Sequence, residues 1–393
     1  MKKIVLINGG RGAKEIIPFL EKKKYKIISI VNAYDDGKST GVLRDYFNTL
    51  GPSDLRKVMQ LMIDKNIKNY NFIINLFECR LPKINNKYIL EELDKLINYN
   101  ENKIFNLNNL SKTISNYIVH KLIFFLKLYN RYKKNNKIDL ILSDMSLINC
   151  IIVSLIFEKN QQIDKALKDL KTTFKIKSKI LINSNSIKHL VALRRSGKFL
   201  NSEAEIVEIR SNVKISRIFL LDKKIKLNLF KNKNYIQKKL ILDNLNNVPK
   251  LSRSSFDALT SADIIIFCPG TQHSSLYPTY MSLDFKKAIE TNNKAKKIFI
   301  TNIGADYETP KYDSFDYLNG AYNYITNFDN KKKYSKYFDV VIINKAKFKS
   351  KINYVKFNSK PFKENSIKYI YEDFENKYKP GYHDFKKIYK YIK

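Results

Sequence analysis

The chain has 393 residues, 44% of them apolar, enough for one large α/β domain or two smaller ones around a substantial core. Lys and Arg outnumber Asp and Glu by 73 to 37, a formal charge of +36. The excess is spread along a sequence heavy in Lys, Asn, Ile and Tyr, the pattern that drift toward AT-rich codons produces, so no nucleic acid is expected as partner, though anionic nucleotides would be drawn in. Cys79, Cys150 and Cys268 are isolated, with no CxxC and no His at ligand spacing, so neither a zinc site nor a disulfide framework is implied, and a reducing cytoplasm fits. No run is long and uncharged enough to span a bilayer, and the opening MKKIVLING reads as a strand rather than a leader.

In chain order, residues 3–7 form a short apolar run that enters Asn8-Gly9-Gly10-Arg11-Gly12, after which residues 13–23 carry helical periodicity. Strand, glycine turn and helix make the first unit of a dinucleotide-type fold. The spacing is not G-x-G-x-x-G, and a Gly-rich turn can also serve tight packing alone. A second buried strand, residues 26–31, delivers the stretch 32–57, NAYDDGKSTGVLRDYFNTLGPSDLRK. Its adjacent carboxylates Asp35 and Asp36, its hydroxyls Ser39 and Thr40, its third carboxylate Asp54 and its guanidinium groups Arg44 and Arg56 suit a metal-bridged diphosphate. A DDG turn followed by an N-cap Ser or Thr is also an ordinary way to end a strand and begin a helix. Arg44 and Arg56 are each expected in the first turn of a helix, where a guanidinium opposes the dipole and calls for an anion.

Residues 54–64 read as a helix, 72–77 as a strand or short buried helix, and 88–128 as helices with Asn-rich breaks, in which the lone His120 reads as a satisfied core histidine. Helices follow over 146–157 and 163–174. From 176 to 221 the period falls to about two, which predicts a β-rich ribbon of strands near 179–182, 190–193, 205–209 and 217–221. Within it Arg194-Arg195 reads as solvated charge in preference to a phosphate clamp. Residues 263–268 (DIIIFC) form a convincing buried strand opening into Pro269-Gly270-Thr271-Gln272-His273-Ser274-Ser275 and a helix reaching about 291, a good anion site. A strand at 298–301 ends at Asn302; strands at 340–343 and 353–357 and an aromatic, basic helix close the chain.

Taken together, GGRG at 9–12, DDGKSTGVLR at 35–44, GPSDLRKV at 51–58, Ser184-Asn185, Glu203, PGTQHSSLYP at 269–278 and Asn302 with Glu308-Thr309 resemble the family that joins 2-phospho-L-lactate transferase (CofD) with the gluconeogenesis factor YvcK. The double-Asp loop stands closer to the gluconeogenesis-factor branch. The chain departs from the family at Asn8, Arg11, Lys38 and Cys268, and at residues 145–149. The resemblance implies a Rossmann-like core that binds a nucleotide diphosphate. In one branch an acceptor alcohol attacks the diphosphate with Mg2+ assistance; in the other a nucleotide sugar is bound by a regulator. Carried over, Asp35 and Asp36 would be metal and catalytic carboxylates, and Gly9, Gly10 and Gly12 a nucleotide-cradling turn. Gly270, Thr271, His273, Ser274, Ser275 and Asn302, with Ser39, Thr40, Arg44, Asp54 and Arg56, would hold the ligand.

The expected fold is therefore α/β: a mostly parallel, Rossmann-like sheet with helices on both faces, a helical insertion at about 85–160 and a β-rich ribbon. Residues 1–345 form one domain and 346–393 a C-terminal strand and helix packed on it. The expected function is a Mg2+-assisted transferase acting on a nucleotide-linked small molecule, the alternative a nucleotide-sugar-binding regulator. A cytoplasmic location fits, and a homodimer stays open.

Overall fold

The computed structural model describes residues 1–10, 12–135, 139–331, 333–345, 352–358 and 366–393. The chain divides into two compact units, residues 1–34 with 180–393, and residues 35–179.

The first unit is built on a seven-stranded parallel sheet. In chain order its strands are β1 (Lys3–Ile7), β2 (Lys26–Val31), β3 (Lys179–Ile182), and then, after a small second sheet, β7 (Ile264–Phe267), β8 (Lys296–Ile300), β9 (Val340–Asn344) and β10 (Lys368–Glu372). The second sheet is antiparallel, made of β4 (His189–Arg194), β5 (Phe199–Leu200) and β6 (Ile215–Leu221), with β4 in the middle. A hairpin of β11 (Glu375–Asn376) and β12 (Lys379–His383) precedes the final helix.

The large sheet is ordered β10-β9-β8-β7-β1-β2-β3. Its inner strands are apolar without interruption because they are buried on both faces: Ile4 to Ile7 of β1 and all of β7 are inaccessible or nearly so. Parallel strands joined by right-handed crossovers set the helices on the faces. The Ile16–Glu21 helix between β1 and β2 lies on one, and the Tyr277–Tyr280 and Phe285–Thr291 helices between β7 and β8, where the chain advances the other way, lie on the opposite one. Phe19 of the first helix packs edge-on against Phe385 and Tyr389 of the C-terminal helix Phe385–Tyr389.

Residues 35–179 form a helical unit around the Leu147–Glu158 helix, whose residues 147–156 are all buried. A helix apolar all round must lie inside. Helices Ser53–Met62, Tyr70–Glu78, Lys112–Asn135 and Ile163–Thr173 pack against it. No helix among the described residues is long and apolar enough to cross a membrane.

Several expectations are corrected. Residues 179–182 belong to the large sheet rather than to a ribbon. The segment expected as a strand at 205–209 lies in the helix Glu203–Glu208, which Ser202 caps by accepting the Glu205 N–H at 3.1 Å. Residues 353–357 make only isolated bridges, Tyr354 to Gly304 and Lys356 to Asp313. His120 is no core residue: its side chain is 70% exposed and faces Glu158 at 3.6 Å. Arg194 is the reverse case, fully buried with its guanidinium donating to the Val213 and Ile209 carbonyls at 2.6 and 2.9 Å.

Candidate functional site

The order of the large sheet reverses at β1, with β2 and β3 to one side and β7 to β10 to the other. At such a reversal the loops leaving the two central strands part to opposite faces and leave a crevice beyond their carboxyl ends, where open α/β sheets take ligands. The loops here are residues 8–12 and 268–275. Gly9 and Gly10 are buried, and a Cβ on Gly12 would lie 1.8 Å from the Pro269 carbonyl oxygen, so glycine alone permits this approach of backbones. Gly270 has φ +147°, a conformation that L side chains rarely adopt.

The second loop is shaped by side chains arriving from elsewhere in the unit. Asn302, just beyond β8, accepts the Gly270 N–H at 2.8 Å and donates to the Gly270 carbonyl at 3.0 Å. Thr271 Oγ1 and Ser275 Oγ lie 2.9 Å apart. In the π-type turn Gln272–Leu276 the His273 and Ser274 N–H groups donate to Glu308 Oε2 at 2.8 and 3.0 Å, and the Ser274 hydroxyl meets Oε1 at 2.5 Å. A buried carboxyl group of the chain thus satisfies the N–H groups that a helix start would offer to an anion. Burial, and then the Asp306 carboxylate, push the Glu308 carboxyl up to about 8, against the pull of its three donors. Asp306 is raised by burial as well, while it accepts from the Thr309 hydroxyl and from the Glu308 and Thr309 N–H groups. The His273 ring is buried edge-on to Tyr277 and Tyr312, with Nε2 3.4 Å from the Tyr312 hydroxyl. Burial, and then the Arg194 guanidinium, lower its pKa to about 3, so it is neutral. Asn32, after β2, donates to the Ser274 carbonyl at 2.8 Å, and Asn183, after β3, accepts the Ala33 and Ser184 N–H groups at 3.0 Å each.

In the helical unit, Asp35 is buried and its Oδ1 accepts the Gly37 N–H at 3.0 Å, an Asx turn that leads into the Lys38–Phe47 helix. A Cβ on Gly41 would come within 2.4 Å of the Asp36 carbonyl oxygen, and one on Gly51 within 2.2 Å of that of Asp35. The Lys57 ammonium stands 3.2 Å from Asp54 Oδ1 and 3.7 Å from Asp35 Oδ2, bridging two buried carboxylates. Arg44 Nη1 donates to the Asp35 carbonyl at 3.4 Å and Arg56 Nη1 to the Phe77 carbonyl at 2.6 Å. Burial, and then Arg80, lower the Arg56 pKa.

Of the residues singled out from sequence, Gly9, Gly10, Gly12, Gly270, Thr271, Ser275 and Asn302 border the crevice loops, whereas His273 and Ser274 turn to Glu308. Asp35, Asp36, Ser39, Thr40, Arg44, Asp54 and Arg56 belong to the helical unit. Arg11 lies outside the described residues. The expected place of Arg44 is corrected: its helix begins at Lys38, ahead of Gly41, so Arg44 sits in the last turn, where a cation suits the dipole. Two polar residues escaped the sequence reading. Lys57 had a signal in its i,i+3 spacing from Asp54, and Asn183 one in preceding Ser184-Asn185.

Comparison with known proteins bears on the same regions. Over 379 residues the chain is 22% identical to the gluconeogenesis factor of Listeria monocytogenes serovar 1/2a and 21% identical to that of Listeria innocua serovar 6a, covering 95% of this chain and 88% of each relative. A crystal structure of a UPF0052 family member from Bacillus halodurans superposes with a TM-score of 0.68 at 18% identity, covering 100% of this chain and 99% of the other, a likeness of fold. The family model for 2-phospho-L-lactate transferase CofD matches residues 4–376. That match runs from β1 to β11, through both crevice loops and the double-Asp loop, and on it the chain belongs to the CofD family.

Proposed function

We propose that the chain binds a nucleotide diphosphate or nucleotide sugar in the crevice beyond β1 and β7. The observation that carries this reading is the Gly12–Pro269 approach at the point where the strand order reverses, which sets two glycine-bearing backbones side by side. Gly9, Gly10 and Gly12 offer backbone access to a diphosphate, and Thr271 and Ser275 offer hydroxyls.

On this reading the reaction is transfer of a phosphate-linked group from the nucleotide diphosphate to an acceptor hydroxyl. Asp35 and Asp36, the fourth and fifth residues after β2, are the proposed metal-facing and catalytic carboxylates. Among the described residues no three His, Cys, Asp or Glu side chains cluster as metal ligands, and Lys57 already stands beside Asp35. This donor set fits a Mg2+ that arrives on the diphosphate and takes one or two protein carboxylates, not one that the protein holds alone. Such an ion would neutralise charge on the phosphate oxygens. The chain's own part is to hold the diphosphate in place and align the acceptor. The Lys57 bridge favours a second reading, a non-catalytic nucleotide-sugar-binding regulator of carbon or cell-envelope metabolism, because it puts a fixed cation between Asp35 and Asp54. The relatives named gluconeogenesis factor accord with it.

A thermal-shift screen against GDP, UDP and nucleotide sugars, with and without Mg2+, tests binding, since a ligand of the native state raises the melting temperature by mass action. Release of nucleoside monophosphate in the presence of an acceptor alcohol would establish transfer. Binding without release supports the regulator, and absence of binding to every nucleotide refutes both readings.

A further inference from the structure

Residues 223–240, KKIKLNLFKNKNYIQKKL, hold seven lysines and no acidic residue. They form the short turn Leu227–Phe230 and most of the helix Tyr235–Leu245, whose start is fixed by a capping box between Asn234 and Gln237. Both elements cover the small antiparallel sheet. Phe230 and Leu242 are buried with Val191, Leu193, Phe219 and Leu221, and Tyr235 and Ile241 pack against that cluster. Other apolar side chains of the same segment point away from it. Leu227 is 65% exposed, Ile236 73% and Leu240 61%, with Leu229 and Leu245 also exposed. Ile236 and Leu240 are one helical turn apart and share a face. A lone exposed leucine needs no account, but a group of aliphatic side chains within one short segment does. Around them Lys223, Lys226, Lys231 and Lys233 are exposed, while Lys238 reaches the Gly197 carbonyl and Lys239 pairs with Asp243.

We propose that this segment docks on an anionic lipid surface, with Leu227, Leu229, Ile236 and Leu240 entering the headgroup boundary and the surrounding lysines meeting lipid phosphates. The charge of the rim selects this partner. Aliphatic side chains bordered mainly by lysine, with Asp243, the one acid of the helix, already paired to Arg217 and Lys239, suit a leaflet of negative headgroups. Protein interfaces, in contrast, are depleted of lysine, and a second copy of this chain would bring the same positive rim against itself. Single-stranded nucleic acid is held by aromatic platforms, and the outward side chains here are aliphatic.

The test is co-sedimentation of the full chain with vesicles of about one-third phosphatidylglycerol in phosphatidylcholine, against vesicles of phosphatidylcholine alone. The parent should partition onto the anionic vesicles only. Ile236→Ser with Leu240→Ser leaves charge and core unchanged and should lower partition at least about tenfold. Because the chain has no Trp, Leu240→Trp supplies the sole indole, excited apart from the 26 tyrosines, whose emission should shift to the blue on vesicle addition. Four results would overturn the proposal. They are no partition by the parent, equal partition by the double Ser variant, emission from the Leu240→Trp variant that stays put while the protein binds, and a vesicle-free dimer that the double Ser variant dissolves.

Discussion

Replacing Glu308 separates its hydrogen-bonding role from its charge. Its carboxyl receives two backbone N–H groups and one hydroxyl in a site closed to water. Glu308→Ala strands those three donors at about 1–3 kcal/mol each where no partner replaces the carboxyl, so the fold should lose about 3–6 kcal/mol after partial relaxation. Glu308→Gln is different. The amide oxygen can accept both N–H groups and the amide nitrogen can donate to the Ser274 hydroxyl, which turns to accept, so the loss should stay below about 1.5 kcal/mol. The pH dependence carries the sign. Burial and Asp306 raise the folded carboxyl to about 8 from its ordinary value of 4.5. Between those values the folded state binds more protons than the unfolded one, so the contribution of Glu308 is full below about 4.5 and is lost as pH climbs through about 8. Denaturant melts at a series of pH values should therefore show the Gln variant gaining on the parent as pH rises from 5 toward 9. A Gln variant that loses ground over that range, or an Ala variant as stable as the parent, would refute the reasoning.

Gly12→Ala places a Cβ 1.8 Å from the Pro269 oxygen; it should destabilise the fold by about 2 kcal/mol or more and weaken nucleotide binding, read by thermal melts and calorimetry. Lys57→Met leaves Asp35 and Asp54 with one cation fewer. With the bridging ammonium gone the two buried carboxylates face each other unscreened, so the variant should be less stable by about 1–3 kcal/mol near neutrality, read by denaturant melts. If the protein is a transferase, Asp35→Asn or Asp36→Asn should abolish nucleoside monophosphate release in a coupled assay and leave nucleotide affinity within about tenfold, since these groups act in the transition state.

The inner strands were legible because burial on both faces writes itself as unbroken apolar runs, as in KIVLI and IIIF, and the glycine turns beside them mark the crevice loops. Edge and cap effects were less so. β10, KYIYE, went unread because an edge strand with a single buried residue, Ile370, carries little signal. Residues 205–209 read as a strand from Ile206 and Val207, yet the Ser202 cap decides for helix. Long-range polar contacts were invisible. Glu308 stands in its motif, but its partners lie 34 and 35 residues away and only the folded sheet brings them to it. Lys57 shows its spacing to Asp54, whereas its approach to Asp35 is made by the loop folding back over Gly51. Arg194 reads as surface charge beside Arg195, and only the fold shows two carbonyls waiting for it inside.

The central claim is that a nucleotide diphosphate sits in the crevice beyond β1 and β7, and isothermal titration of the parent and of the Thr271→Val, Ser275→Ala double variant with GDP, UDP and nucleotide sugars tests it most directly. The account predicts that at least one nucleotide binds the parent one to one and that the double variant, with both hydroxyls gone and the fold retained, binds it at least about tenfold more weakly. Equal affinity in the two proteins, or no binding to the parent, would contradict it.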